Sequence, residues 1–327
     1  MAKTYVPGAN TGRGFVSRFG GIIPPWEKPQ YTYVLKGGPG VGKNTLMKTV
    51  ASRAVQKGYT VEEFHCASDP DSLDAVRVTE LGIALLDGTA PHSIDPVLPG
   101  VDEEILDLGY FKNRKEFALH RGELQTLFGE NKAHYDAAYA FLGAAYALKK
   151  QAIAAAKTVV DMDKMRCRLS ETFADAKAGA VRTLFARSAT PLGVVDYTET
   201  YLPNDTLLLS GIVGEIALAE AEKLLAGKRA EIGYDFILPE QPRTVIASGR
   251  AIALGEGGET LQELCSAPLL DHVAFCLEQT KILVEHATAE LAKSLATHDA
   301  IEAIYRPYVD YDRVNTEREI LLKTLGI

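Results

Sequence analysis

The chain has 327 residues, 46% of them hydrophobic and 24% charged, with a formal net charge of −8. That length points to two packed domains rather than one, and the acidic balance gives no sign of a nucleic-acid partner. Four scattered cysteines, Cys66, Cys167, Cys265 and Cys276, form no CxxC pair, which excludes a zinc ribbon and fits a reducing compartment.

The opening MAKTYVPGANTGRGF lacks the apolar run of a signal peptide. Residues 31–37 (YTYVLKG) form a β-rich run ending in glycines and predict the first strand. Over 44–57, Leu46, Val50, Ala54 and Val55 recur at helical spacing, and Gly58 follows as a stop. Residues 60–66 predict a second strand. The apolar run 82–86 (GIALL) reads as a strand buried on both faces, so a parallel α/β sheet with covering helices is expected. Helices are predicted over 112–128, 131–160 and 162–178, and again over 269–296, 298–308 and 311–325. The most apolar stretch, 137–160, is interrupted by Lys149, Lys150 and Lys157. It reads as a soluble packed helix, with no membrane partner, and the expected location is the cytoplasm. These helical insertions exceed what a nucleotide-binding sheet needs. They predict an arm that packs the halves together or joins two chains as a homo-oligomer.

Between the first strand and its helix lies Gly37-Gly38-Pro39-Gly40-Val41-Gly42-Lys43-Asn44-Thr45. This is a phosphate-binding loop in the context the motif requires. Glycines let successive N–H groups turn inward, the helix start adds partial positive charge, and Lys43 supplies a full charge for the β- and γ-phosphates. The position after Lys43 ordinarily carries a hydroxyl that ligates Mg²⁺; here it is Asn44, whose amide oxygen has a different reach and direction. Thr45 should still contact phosphate. Asp87, ending the apolar strand, stands where a second acidic residue would hold Mg²⁺ through water. Gly88 follows it, so no neighbouring glutamate activates water. Asp69, Asp71 and Asp74 in CASDPDSLD admit two readings. One of them is an acceptor-activating base, or the stretch is a capped turn. Glu80 and His92 are further candidates for a base.

The chain also repeats itself. TGRGFVSRFGGIIP at 11–24 aligns without gaps to TPLGVVDYTETYLP at 190–203, TYVLKGGPG at 32–40 to TLLLSGIVG at 206–214, IAL at 83–85 to 252–254, and KTVVDMDKM at 157–165 to RPYVDYDRV at 306–314. Four weak matches in one order predict a duplication with a boundary near Ala180. The expected domains are 1–180, with the phosphate loop and a helical insertion, and 181–327, degenerate. In the second copy Gly42-Lys43 becomes Ile216-Ala217, so phosphate should not bind there in the same way.

FHCASDPDSLDAV, ELGIALLDGTAPHSIDP and LDLGYF, with the phosphate loop, resemble a family of uncharacterised bacterial P-loop ATPases. The resemblance covers the chain, densely over 5–109 and thinly beyond 180. It implies tandem P-loop NTPase domains with long helical insertions, and ATP binding at residues 37–45. The chain departs from the family's pattern at Asn44 and in the lost second loop. Three functions are therefore expected to compete. The first is a slow ATPase with Lys43 on the phosphates and Asn44 and Asp87 near Mg²⁺. The second is a small-molecule kinase with Asp69 or Asp71 as base. The third is a nucleotide-dependent scaffold that hardly turns ATP over.

Overall fold

The computed structural model describes residues 2–28, 31–90 and 93–327. The first half runs β1 (Lys3–Tyr5), β2 (Gly8–Thr11), β3 (Gly14–Ser17), β4 (Tyr31–Lys36), α1 (Lys43–Gln56), β5 (Val61–His65), β6 (Leu73–Val78), β7 (Ile83–Asp87) and β8 (Glu103–Asp107). Three helices follow: the short α2 (Arg114–Phe117), α3 (Arg121–Lys157) and α4 (Met162–Ser170). The second half runs β9 (Val181–Phe185), β10 (Arg187–Thr190), β11 (Gly193–Asp196), β12 (Asp205–Leu209), α5 (Gly211–Leu224), β13 (Ala230–Tyr234), β14 (Pro242–Ala247) and β15 (Arg250–Leu254). It ends in α6 (Asp271–Tyr305) and α7 (Tyr311–Leu325).

The architecture is mixed α/β. The first sheet has the order β1-β5-β6-β7-β4-β8. It is not the parallel sheet expected: β6 runs antiparallel to both neighbours, while β1–β5, β7–β4 and β4–β8 are parallel. Only residues 66–72 and 79–82 connect β6 to its neighbours, too few for a crossover, so the three strands must meander. The sequence hid β6 because Asp74 and Arg77 interrupt its apolar pattern. Both are buried in the fold, Arg77 against Glu62 of β5 at 2.7 Å.

The second sheet, β9-β13-β14-β15-β12, repeats this order and strand sense, without a counterpart of β8. Even the ladder irregularity recurs, between Phe64 and His65 in β5 and between Gly233 and Tyr234 in β13. A third, four-stranded sheet joins the halves, with hairpin β2–β3 meeting hairpin β10–β11 through Asn10 and Ala189. The two hairpins turn alike. Thr11 Oγ1 donates to Gly14 O at 2.8 Å and accepts from Arg13 N at 3.0 Å. Thr190 Oγ1 donates to Gly193 O at 2.7 Å and accepts from Leu192 N at 3.2 Å.

The two long helices are longer than predicted. The segments read as 112–128 and 131–160 merge into the 37-residue α3, which runs through Gly129. A glycine in a helix costs about 1 kcal/mol against alanine, too little to break one packed along its length. Likewise 269–296 and 298–308 merge into the 35-residue α6, which contains neither Gly nor Pro and stops short of Pro307. α4 ends at Ser170 rather than 178, whereas α7 spans the predicted 311–325. α3 and α6 lie antiparallel, with His134 Nδ1 at 2.9 Å from Glu290 and Phe141 stacked on His286. Ala138, Leu142 and Ala145 of α3 meet Val284, Ala287 and Leu291 of α6 over the third sheet. The arm therefore packs the halves of one chain together.

At each end of this pair a short helix crosses to the other half. After α3, Met165 and Leu169 of α4 pack on Ile212 and Ile216 of α5. After α6, Val314, Leu321 and Leu322 of α7 pack on Leu46 and Val50 of α1. The corners match: Asp161 N donates to Leu264 O at 2.8 Å and Asp310 N to Tyr110 O at 2.7 Å. Each aspartate then caps its helix by accepting from Lys164 N or Arg313 N. The first sheet is thus covered by α1 and α7 on one face only. It is not sandwiched by helices, because Tyr5, Phe64, Ala75, Ala84 and Leu86 of its other face meet Leu184 and Tyr201 of the second half. No helix of the described residues is long and apolar enough to cross a membrane.

Candidate functional site

β4 delivers the chain to the carboxyl-terminal edge of the first sheet, and α1 starts at Lys43 after a loop that only glycine can trace. Gly37 (φ 141°), Gly40 (φ 71°) and Gly42 (φ 99°) all take left-handed backbone. Gly42 is the N-cap residue of α1, which has no side-chain cap. The unsatisfied N–H groups of the helix start are left facing the loop.

Lys43 Nζ donates to Gly37 O at 2.7 Å and to Thr89 Oγ1 at 3.1 Å, and lies 3.4 Å from Asp87 Oδ2. Asp87 reaches it from β7, paired to β4 with Leu35 opposite Asp87. Asp87 Oδ1 accepts from Thr89 N at 2.9 Å and from Thr89 Oγ1 at 2.5 Å. Gly88 N donates to Leu35 O at 2.9 Å, so the backbone after Asp87 is tied to β4. Lys36, just before the loop, donates to Gly88 O and Ile94 O at 2.8 and 2.7 Å and pins the following segment. The sequence reading brought Lys43 and Asp87 together; Thr89 and Lys36 went unread.

Asn44 is turned toward the start of β6. Its Nδ2 donates to Ser72 Oγ at 3.0 Å and its Oδ1 accepts from Leu73 N at 3.2 Å. Ser72 Oγ in turn donates to Asp69 Oδ2, and Asp69 Oδ1 accepts from Asp71 N at 3.2 Å. Asp69 therefore has both carboxylate oxygens engaged within its own turn. It lines the same cavity as Lys43, but Asp71 does not. Asp74 lines it from β6, beside Cys66. Burial, and then the Asp74 carboxylate, push the Cys66 thiol well up, which keeps it protonated at neutral pH. Glu80 lies elsewhere: it accepts from Thr60 N at 2.8 Å at the opposite end of the β5–β6 hairpin. It clamps that end and is no part of the site. His92 lies outside the described residues.

The cavity encloses about 440 Å³, within the range of small-ligand pockets. One wall comes from the second half: Ser294, His298, Asp299 and Glu302 of α6, Arg306 of the turn that follows it and Tyr311 of α7. Tyr311 Oη donates to Gly40 O at 2.8 Å, and Arg306 Nη2 donates to Glu302 Oε2 at 2.5 Å. The approach is close. A Cβ on Gly38 would meet the Tyr305 ring at 3.0 Å, and one on Gly40 would meet Glu302 Cγ at 3.0 Å. Sequence reasoning missed this wall. The one available signal was a polar stripe at helical spacing, Ser294, His298, Asp299, Glu302 and Arg306, on a helix otherwise read as packing.

The corresponding corner of the second half has no loop. β12 ends at Leu209, Ser210 follows, and α5 begins at Gly211. Ile216 and Ala217 are fully buried inside α5, and Ser210 Oγ donates to Gly258 O at 2.7 Å. A Cβ on Gly214 would come within 3.0 Å of Leu209 Cβ, so helix and strand are in contact where a ligand would have to sit.

Among the described residues no group of three or more His, Cys, Asp or Glu is arranged to hold a metal ion by itself. Comparisons with protein families, with curated proteins and with solved structures find no match.

Proposed function

We propose that residues 37–45 bind a nucleoside triphosphate, ATP by preference, and that the chain is a P-loop NTPase that hydrolyses it slowly. The observation carrying this reading is the position of Lys43. Its ammonium stands at an uncapped helix start, over a loop of left-handed glycines, 3.4 Å from a strand-end aspartate. Backbone N–H groups and the helix start attract phosphate oxygens, and Lys43 neutralises the terminal pair. The sequence resemblance implies the same ligand, and the repeated strand order agrees with a duplicated origin in which one loop was lost.

Mg²⁺ fits the donors in the way such ions usually bind, through one or two protein oxygens with the rest from phosphate and water. Asp87 Oδ2 would hold it through water, with Asn44 Oδ1 in the hydroxyl's place, and the ion would supply positive charge to the phosphates. Asn44 Oδ1 already accepts one hydrogen bond, so ligation leaves it shared with Leu73 N. Gly88 offers no side chain to orient water, which argues for slow turnover.

The kinase reading is weaker at Asp69, whose two oxygens are both engaged, and at Asp71, which is off the cavity. The test is ATP binding by calorimetry with phosphate release measured in parallel on the full chain. Saturable binding with slow release and no added acceptor is expected. Release only with an added acceptor would favour the kinase, binding without release the scaffold, and absence of binding would overturn the site.

A further inference from the structure

The second half has no phosphate loop of its own, yet its last helices form a wall of the first half's loop. Reciprocal crossing of the short helices makes this unavoidable. The arm that ends in α7 must pass over the start of α1, as the arm that ends in α4 passes over α5. Where α6 ends and the turn after it begins, the chain carries two opposite charges. Glu302 is largely covered and stands against Gly40; Arg306, one turn later, is mostly exposed and lines the cavity with its stem beside the same glycine. A Cβ on Gly40 would be 3.3 Å from Arg306 Cγ. The guanidinium is held by Glu302 at 2.5 Å. A carboxylate so close to a seated phosphate chain would be repelled by it, while the guanidinium just past the helix end would be attracted. Arg306 has a long flexible stem, an exposed head and, among the described residues, one ionic partner, so exchanging Glu302 for a phosphate needs only a side-chain rotation.

We infer that Arg306 of the second half binds the terminal phosphate of a triphosphate seated on residues 37–45, leaving Glu302 to do so, and makes the site prefer a triphosphate over a diphosphate. This rests on the nucleotide reading of the loop. It also gives the degenerate half a role at the intact site. Guanidinium is suited to it, because its planar donor pair matches two phosphate oxygens, whereas an ammonium offers a point charge.

The experiment is calorimetric titration of the full chain with the imido-bridged, non-hydrolysable ATP analogue and with ADP, both with Mg²⁺, so that turnover plays no part. Wild type, Arg306→Ala, Arg306→Lys and Glu302→Gln are compared. Arg306→Ala is expected to weaken the triphosphate analogue by about tenfold or more, roughly 1.4 kcal/mol, and ADP by less than about threefold. Arg306→Lys should fall between wild type and Arg306→Ala. Glu302→Gln removes the competing carboxylate and should tighten the analogue several-fold without affecting ADP. Equal weakening of both nucleotides, or no change in either, in Arg306→Ala would overturn the assignment, as would weaker analogue binding in Glu302→Gln. If wild type binds neither nucleotide, the loop reading itself fails. If wild type binds and Lys43→Ala does not, any failure belongs to Arg306 alone.

Discussion

Asn44 replaces the loop hydroxyl with a carboxamide that is spoken for on both sides, by Ser72 Oγ and by Leu73 N. It fastens the head of α1 to the turn before β6, a structural duty that serine is too short to perform. Asn44→Ser should therefore have two opposed effects. Losing two hydrogen bonds worth about 0.5–1.5 kcal/mol each should lower stability by about 1–3 kcal/mol, read by chemical denaturation. Placing a hydroxyl at the position proposed for Mg²⁺ should raise single-turnover phosphate release, while ATP affinity changes less than about tenfold, or 1.4 kcal/mol. Equal or slower release would show that Asn44 is not what limits turnover. The loop, Lys43 and Asp87 were legible in the sequence because the loop motif is local and its glycines leave few alternatives. The duty of Asn44 was not, since Ser72 and Leu73 enter only once β5 and β6 fold back as a hairpin.

The crossing of α4 and α7 sets which core each helix stabilises. Amphipathic spacing announced α7 over 311–325, yet no periodicity says which sheet a helix covers, because Val314, Leu321 and Leu322 would suit either. The same holds for the long pair: Gly129 and Thr297 looked like breaks until α3 and α6 were laid against each other. Leu322 is buried on α1, and Met165 on α5. Leu322→Ala should cost about 2–5 kcal/mol and raise amide exchange in α1 and β4 while sparing α5. Met165→Ala should loosen α5 and spare α1. The reverse pattern, with each substitution loosening the half it follows in sequence, would contradict the crossed arrangement.

Across the whole molecule the halves meet on a buried ionic cluster. Glu62 of β5 accepts from Arg77 at 2.7 Å and from Arg182 of β9 at 2.9 Å, and Arg182 also reaches Glu231 at 2.9 Å. Burial alone would raise the Glu62 carboxyl; the guanidinium groups of Arg182 and Arg77 outweigh it and hold it below its ordinary value of 4.5. A depressed carboxylate contributes stability that is present above the unfolded value and lost as pH falls through the folded one. Unfolding titrations should therefore show a steepening loss below about pH 4.5. Glu62→Gln should cost about 3–5 kcal/mol at neutral pH, because it leaves two buried guanidinium groups short of charge, and should flatten that acid limb. An unchanged acid limb in Glu62→Gln would place the pH sensitivity elsewhere. Of this interface the sequence disclosed the repeat but not the contact, since charged residues inside strands read as solvent-facing until their partners are known.

The proposed site takes one triphosphate per chain, at residues 37–45 and not at the second half's corner. This is tested most directly by calorimetric titration of the full chain with ATP and Mg²⁺, beside Lys43→Ala and Ala217→Ser. One site per chain is expected in wild type and in Ala217→Ser, and at least a hundredfold loss, about 2.7 kcal/mol, in Lys43→Ala. Undiminished affinity in Lys43→Ala, or two sites per chain in wild type, would contradict it.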